Sequence, residues 1–209
     1  MIPENFWLFA STALLLNLTP GNDMVFVMAK SSSQGSKAGI ISSLGIMAGC
    51  LVHMIAAVVG LSAIFAKSAV AFTIIKYVGA LYLIYLGVKS FFDHGKEIKI
   101  NNSFGKHSYR KIFWQGVFTN VLNPKVALFF LAFLPQFIDT KAANASAQIL
   151  FLGVWFNLGG TLVNIMVALL FGKIGKCLGK SGKFVQWQKR ITGSLLFALG
   201  IKVALSTRK

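Results

Sequence analysis

Two short polar clusters, each containing a proline, interrupt apolar stretches of this 209-residue sequence. The first comprises Asn17, Thr19, Pro20, Gly21, Asn22 and Asp23, and the second comprises Thr119, Asn120, Asn123, Pro124 and Lys125. A proline removes one backbone donor and crowds the carbonyl four residues earlier, so each cluster predicts a helix break with unpaired backbone groups. A polar solute or an ion can supply the missing partners.

Asp23 and Lys125 are the ionisable residues of the two clusters. A charged side chain at the centre of a bilayer costs about 2.5–3.5 kcal/mol on insertion scales, and such residues mark candidate functional sites. The pair could hold a zwitterionic amino acid, with Asp23 at the ammonium and Lys125 at the carboxylate. Alternatively, Asp23 could load and release a coupling proton. The two side chains could also simply neutralise each other, or Lys125 could extend to the membrane interface.

Three further polar residues are weaker candidates for the same site. His53 could relay protons because its pKa is easily moved across neutrality, although a lone membrane histidine is as often a packing residue. Asn157 and Asn164 are seven residues apart, which places them two turns along one helix face. There they could line a cavity or bond across helices.

Glycines in the same apolar stretches are predicted to allow close helix packing rather than to contact a solute. They are Gly45, Gly49, Gly153, Gly159 and Gly160. Gly35 and Gly39 have the spacing of a small-residue pair and could form a hinge at the predicted cytoplasmic entrance.

Six apolar stretches must position these residues. They cover residues 6–29, 40–66, 72–92, 113–138, 146–171 and 190–206. A spanning helix needs about 20 mostly apolar residues, and none of the stretches shows the alternation of a barrel strand. The chain is 56% hydrophobic and 12% charged, with a mean hydropathy of +0.70. The sequence therefore predicts an all-α integral membrane protein with six transmembrane helices, of which the first and fourth are broken at proline.

The net charge of +16 is unevenly distributed along the chain. With six spans, the first, third and fifth loops share one side of the membrane and hold 14 of the 21 lysines and arginines, against six on the other side. The positive-inside rule therefore predicts cytoplasmic basic loops and periplasmic N- and C-termini. Nucleic-acid binding is not expected, because no folded basic domain or aromatic platform accompanies the charge.

The sequence reads as two copies of a three-helix unit within a single transmembrane transport domain, residues 1–209. The first repeat covers about 1–92 and the second about 113–209, joined by a basic cytoplasmic loop at about 93–112. Residues 76–89 align without gaps with 189–202, and residues 18–21 align with 122–125. Since three is odd, the second copy must be inverted. Inverted repeats with matched broken helices predict a transport site near the midplane, whereas two simple proline kinks are the alternative.

With these residues laid out, the chain resembles the lysine exporter (LysE/RhtB) family, especially its homoserine/threonine exporter branch, over nearly its whole length. The resemblance is carried by Thr19-Pro20-Gly21, Gly35, Gly39, Gly45, Gly49, the segment 76–87, Gly116, Asn120, Asn123-Pro124-Lys125 and Pro135-Gln136-Phe137. Gln136, in the last of these motifs, is a further site candidate. Where the family usually has a second proline after the glycine, this chain has Asn22, which leaves the break less rigid.

The resemblance implies a bacterial inner-membrane exporter of amino acids or their derivatives, driven by the proton motive force. We expect secondary-active efflux of a small neutral solute, such as homoserine, threonine or leucine, by proton antiport. One proton moving inward at roughly 150 mV yields about 3.5 kcal/mol, which suffices for this work without ATP. The expected partners are the solute, protons and the lipid bilayer. The protein could also form a homo-oligomer.

Other functional classes fit the sequence less well. A passive channel or a metal-ion exporter is the main alternative, although metal transport needs clustered His, Cys, Asp or Glu, and only Asp23 and His53 are candidates. An enzyme is not expected, and no catalytic residue, cofactor or metal is assigned, because the chain has only five acidic residues and no nucleotide-binding loop. A thiol carrier would need a cysteine at each break, whereas Cys50 and Cys177 lie away from both in the sequence.

Overall fold

The computed structural model describes residues 5–67, 69–92, 108–138 and 144–178, together with 190–191, 193–194, 197–198, 200–201 and 204–205. In chain order the helices are α1 (Phe6–Leu18), α2 (Asn22–Gln34), α3 (Ser36–Lys67), α4 (Ala69–Phe92), α5 (Tyr109–Val121), α6 (Pro124–Leu128) and α7 (Ala145–Leu178). A π turn (Phe129–Phe133) and a 3-10 turn (Leu134–Phe137) continue α6. The described residues between 190 and 205 are also helical, and no strand occurs in any of these ranges. The all-α prediction is therefore confirmed for this part of the chain.

Two of these helices have the length and composition to cross a bilayer on their own. Their apolar parts are Ser36–Gly60 in α3 and Ala145–Lys173 in α7. A third crossing is formed if Tyr109–Val121 and Pro124–Phe137 are taken together, since this pair is bent by 45° at a short break. Helix α1 and the segment Tyr77–Lys89 of α4 are shorter apolar helices. These elements are those of an integral membrane protein.

Both predicted helix breaks occur at their prolines. Helix α1 ends at Leu18 and α2 begins at Asn22, so Pro20 lies between them. Pro124 occupies the first turn of α6, where its missing N–H removes no helical hydrogen bond. Asn123 caps that helix, because its side-chain oxygen accepts the backbone N–H of Lys125 at 3.0 Å.

A single residue, Gly35, joins α2 to α3. Its φ of 83° lies in the left-handed region that glycine adopts at low cost. The turn is packed tightly, since a Cβ at Gly39 would meet Ser31 and Ala168. The small residues thus allow α2 to fold back against α3 beside α7.

Helices α3 and α5 are in backbone contact along a glycine seam. A Cβ at Gly45 would meet the carbonyl oxygen of Phe113, and one at Gly116 would lie 2.7 Å from the carbonyl oxygen of Ser42. A Cβ at Gly49 would be blocked by the next turn of α5 in the same way. The predicted packing role of Gly45 and Gly49 is therefore confirmed, and the order of the contacts makes the two helices parallel.

The remaining contacts fix the directions of the other long helices. Helix α7 runs antiparallel to α3, because Met54 lies against Gly153 whereas the first residue of α3 lies against Gly172. The broken helix α1–α2 runs parallel to α7, since Asn17 donates to the carbonyl of Phe156 and α2 ends beside Gly172. Because α5 runs with α3, the two broken helices point in opposite directions.

Helix α4 packs against the described helical residues near the C-terminus. A Cβ at Gly87 would lie 2.8 Å from the carbonyl oxygen of Gly193, and a Cβ at Gly200 would lie 2.8 Å from that of Ala80. The two segments are therefore antiparallel and in close backbone contact.

Five buried phenylalanine rings fill the core between the breaks and the N-terminal end of α1. This phenylalanine cluster consists of Phe9, Phe129, Phe133, Phe137 and Phe156. The rings of Phe129 and Phe156 stack with centroids 4.0 Å apart, and those of Phe133 and Phe137 are 4.9 Å apart. Aromatic pairs at such distances stabilise a core beyond the area they bury.

Candidate functional site

The two helix breaks face one cavity of about 40 Å³. The polar residues in its wall are Asn17, Thr19, Asp23, Asn120, Lys125, Asn157, Thr161 and Asn164. A cavity of this volume has room for water-sized molecules. Admitting a larger solute therefore requires the surrounding helices to move apart.

Asp23 places a carboxylate at this cavity. It lies in the first turn of α2, where the free backbone N–H groups and the helix dipole favour a negative charge. Its Oδ2 accepts a hydrogen bond from Nδ2 of Asn120 at 2.8 Å. Its Oδ1 is buried and accepts no hydrogen bond from the residues that the structure describes. A buried acceptor of this kind is suited to bind an ammonium group or a proton.

Lys125 directs its ammonium group to the end of α1. The Nζ donates to the carbonyl oxygens of Thr19 at 2.9 Å and Leu16 at 3.1 Å. The C-terminal end of a helix favours a cation, because its last carbonyls lack helical donors. Lys125 and Asp23 are both described, and no ion pair joins them, so the two charges do not neutralise each other by direct contact. One of the three ammonium hydrogens remains for a solute.

His53 contacts the second break from α3. Its Nε2 is 3.0 Å from the carbonyl oxygen of Asn120, and because a carbonyl can only accept, this nitrogen must carry a hydrogen. Asn120 lies four residues before Pro124, so its carbonyl has lost the usual helical donor. The backbone N–H of Asn123 is its other donor, at 2.8 Å. The imidazole stacks nearly parallel to the ring of Phe130, with centroids 6.2 Å apart.

The chain that forms this site matches a known protein family. A family model described as LysE type translocator matches residues 14–207. The chain belongs to the LysE type translocator family. The family resemblance read from the sequence is therefore confirmed, and with its apolar helices the protein is a multi-pass membrane protein of a translocator family rather than of an enzyme family.

Several relatives align with this chain over nearly their full length. The uncharacterized membrane protein YrhP of Bacillus subtilis is 37% identical over 202 residues, which cover 93% of this chain and 95% of that protein. The homoserine/homoserine lactone efflux proteins of Salmonella typhimurium and Salmonella typhi are each 32% identical over 200 residues, covering 95% of this chain and 96% of theirs. No solved structure matched the chain.

Other predicted site residues shape the two helix breaks. A Cβ at Gly21 would lie 3.2 Å from the Lys125 nitrogen, so the glycine leaves space for the ammonium group. Pro20 and Pro124 set the ends of the helices. Asn123 is buried, and its Nδ2 finds no partner among the described residues.

Two predicted residues lie away from the cavity. Asn22 is exposed on the outer side of α2, in a shallow groove beside Phe118 and Leu122. Gln136 is half-buried and donates to the carbonyl of Ala132, within its own segment, at 2.9 Å. The structure therefore does not place either side chain in the cavity wall.

The cavity wall also contains residues to which the sequence assigned no role in binding. Asn17, a member of the first polar cluster, donates from Nδ2 to the carbonyl of Phe156 at 3.0 Å and ties α1 to α7. Thr161 follows Asn157 by one turn, a spacing that could have marked it as part of the same helix face. Cys50 is distant from both breaks in the sequence, yet it is 2% exposed and lies in the wall.

Proposed function

We propose that the protein exports a small neutral amino acid or amino-acid derivative across the bacterial inner membrane in exchange for protons. The observation that carries the proposal is the position of Asp23, which presents a carboxylate oxygen without a partner among the described residues at the cavity where both broken helices meet. The two Salmonella relatives, which are homoserine/homoserine lactone efflux proteins, support this class of solute. We propose homoserine-like, threonine-like or leucine-like compounds.

Asp23 and Lys125 give the cavity opposite charges for a zwitterion. The ammonium of the solute binds Oδ1 of Asp23, and its carboxylate binds the remaining ammonium hydrogen of Lys125. Because Oδ1 can hold either an ammonium or a proton, loading one displaces the other. This competition for one oxygen couples export of the solute to entry of a proton.

The proposed architecture is six transmembrane helices arranged as two inverted three-helix repeats in one domain. The opposite directions of the two broken helices support it. So do the contacts of α4, because the alignment of residues 76–89 with 189–202 matches Gly87 to Gly200 and Ala80 to Gly193. The Gly87–Gly193 contact is thereby the image of the Gly200–Ala80 contact. A two-fold axis between repeats generates such reciprocal pairs.

The proposed orientation places the basic loops in the cytoplasm and both termini in the periplasm. The Nζ of Lys37 lies 5.0 Å from the ring centroid of Tyr109, so α3 and α5 begin at the same end of the molecule. The Ser36–Gly172 contact brings the end of α7, with Lys173, to that end as well. The positive-inside rule assigns this basic end to the cytoplasm.

Transport in inverted membrane vesicles tests the proposal. Vesicles containing the protein should accumulate labelled homoserine, threonine or leucine when the lumen is acidic, and an uncoupler should abolish accumulation. Vesicles without the protein are the control. Uptake that ignores the proton gradient would instead identify a passive channel.

The metal-exporter alternative is tested in the same vesicles. The described residues contain no group of three or more His, Cys, Asp or Glu side chains placed to hold a metal ion. Gradient-dependent uptake of a divalent cation without uptake of any amino acid would overturn the proposed class of solute.

A further inference from the structure

Asn164 differs from the other polar residues of the cavity wall in its hydrogen bonding. It is 7% exposed and lies on α7. Five other uncharged wall side chains each donate a hydrogen bond within the protein: Asn17, Thr19, Asn120, Asn157 and Thr161. Among the residues that the structure describes, none is hydrogen-bonded to the Asn164 amide.

An amide on a residue that is more than nine-tenths buried, and that makes no hydrogen bond within the described protein, calls for a physical reason. The side chain carries two N–H hydrogens and one carbonyl oxygen, all of which hydrogen-bond to water in the unfolded chain. Native proteins pair nearly all such buried groups, and the exceptions concentrate where a ligand or an ordered water completes the bonding. The Asn164 amide therefore has hydrogen-bonding capacity left for water or for a polar group of a solute in the cavity.

Asn164 and Asp23 lie in the same part of the molecule. Met24 and Val163, the sequence neighbours of Asp23 and Asn164, belong to one small hydrophobic cluster. Both polar side chains also line the same cavity. A solute whose ammonium is held by Asp23 can therefore reach the Asn164 amide with another of its groups.

We infer that Asn164 selects the side chain of the solute by binding a hydroxyl group. This inference rests on the proposed function, in which Asp23 and Lys125 hold the ammonium and the carboxylate. The side chain is then the part of the solute that remains for Asn164. A hydroxyl both donates and accepts, as the amide does, whereas a methyl group in the same place leaves the amide buried and unpaired.

Two pairs of solutes of nearly equal shape isolate this contact. Threonine and valine differ by a hydroxyl in place of a methyl group, as do homoserine and norvaline. We expect the wild-type protein to prefer the hydroxylated member of each pair by at least about tenfold, measured as competition against labelled homoserine in inverted vesicles. Asn164→Leu, which keeps a similar volume without the polar atoms, should bring both ratios to about one or below.

Further variants separate selectivity from folding. Asn164→Ala removes the same amide and adds no bulk, so it should abolish the preference as well. This variant decides the question if the larger side chain of Asn164→Leu does not fit the cavity wall. Leu162→Ala changes a side chain of α7 that is 60% exposed and outside the cavity wall, and it should leave the ratios unchanged.

The possible outcomes distinguish this inference from the proposed function. If the wild-type protein transports the four solutes equally, or if Asn164→Leu and Asn164→Ala keep the wild-type ratios, Asn164 binds only water or serves packing, and the inference is wrong. Proton-coupled export stands in either case. If neither these four solutes nor leucine is transported, the proposed function itself fails.

Discussion

The ammonium group of Lys125 donates to the carbonyl oxygen of Leu16 at 3.1 Å, and Leu16 lies four residues before Pro20. This is the carbonyl whose helical donor the proline removes. The corresponding carbonyl of the second break, that of Asn120, accepts a hydrogen bond from the Nε2 of His53 at 3.0 Å. Each break is thus closed by a side chain from the other half of the chain.

This relationship predicts a structural cost for removing the amine of Lys125. In Lys125→Met the carbonyls of Leu16 and Thr19 lose a charged donor, and hydrogen bonds to charged groups contribute about 1.5–3 kcal/mol to stability. We expect a lower midpoint of thermal unfolding in detergent. Lys37→Met is the matched control, because Lys37 is exposed and extends over the ring of Tyr109. Equal midpoints for the two variants would contradict the capping role of Lys125.

His53 is predicted to act through its hydrogen bond to Asn120. In His53→Gln the amide nitrogen replaces Nε2 as the donor, so proton-driven export should persist. His53→Phe keeps a ring against Phe130 but loses the donor, and it should reduce export by roughly tenfold. The measurement is the initial rate of uptake in inverted vesicles. If His53→Gln uncouples transport from the proton gradient, His53 carries protons instead.

Asp23 is predicted to be required for export. Asp23→Asn preserves the shape of the side chain but can neither carry a negative charge nor exchange a proton near neutrality. Loss of a charge-assisted hydrogen bond corresponds to roughly a 10- to 100-fold lower rate. The amount of protein in the membrane, measured by immunoblot, should stay the same.

A second measurement on Asp23→Asn separates its two roles. Exchange of labelled for unlabelled solute across the vesicle membrane requires solute binding without net proton movement. Exchange that persists in the variant would assign Asp23 to the proton alone, and export at the full rate would remove it from the site.

The glycine seam between α3 and α5 predicts a sharp difference between two alanine substitutions in one helix. Gly45→Ala forces a methyl group against the backbone of Phe113, and overpacking of this kind costs about 1–3 kcal/mol. Gly60→Ala is the control, because a Cβ there meets nothing within 4 Å. We expect Gly45→Ala to lower the unfolding midpoint and the yield of membrane protein, and Gly60→Ala to lower neither. Similar values would mean that α3 and α5 are not in backbone contact.

The sequence predicted those features of the site that depend on local chemistry. A proline restricts its own helix wherever it occurs, so the breaks at Pro20 and Pro124 followed from residue type alone. The spacing of Asn157 and Asn164 placed both on one face of α7, and both lie in the cavity wall. The apolar stretches likewise correspond to the described helices. In hydrocarbon a segment must satisfy its own backbone hydrogen bonds, so a long apolar stretch is predicted to be helical without knowledge of its neighbours.

Features that depend on contacts between distant segments could not be predicted. One of the readings left open by the opposite charges of Asp23 and Lys125 was a pair that neutralises itself, whereas the carbonyls at the end of α1 bind the ammonium group. Adjacent residues on a helix point about 100° apart. Asn22 therefore faces outward while Asp23 faces the cavity, and the sequence does not reveal the rotation of α2 about its axis.

The phenylalanine cluster bears on how the membrane keeps its voltage. Protons cross a protein along chains of hydrogen-bonded water, and an apolar constriction interrupts such a chain by excluding water. Phe156 borders the cavity, and the buried rings of Phe129, Phe133 and Phe137 pack behind it. Because these rings are apolar and buried, we expect them to exclude water from the path past them in this conformation. We therefore expect the cluster to block proton leakage through the protein at rest, so that a cell can hold many copies of it without losing its membrane potential.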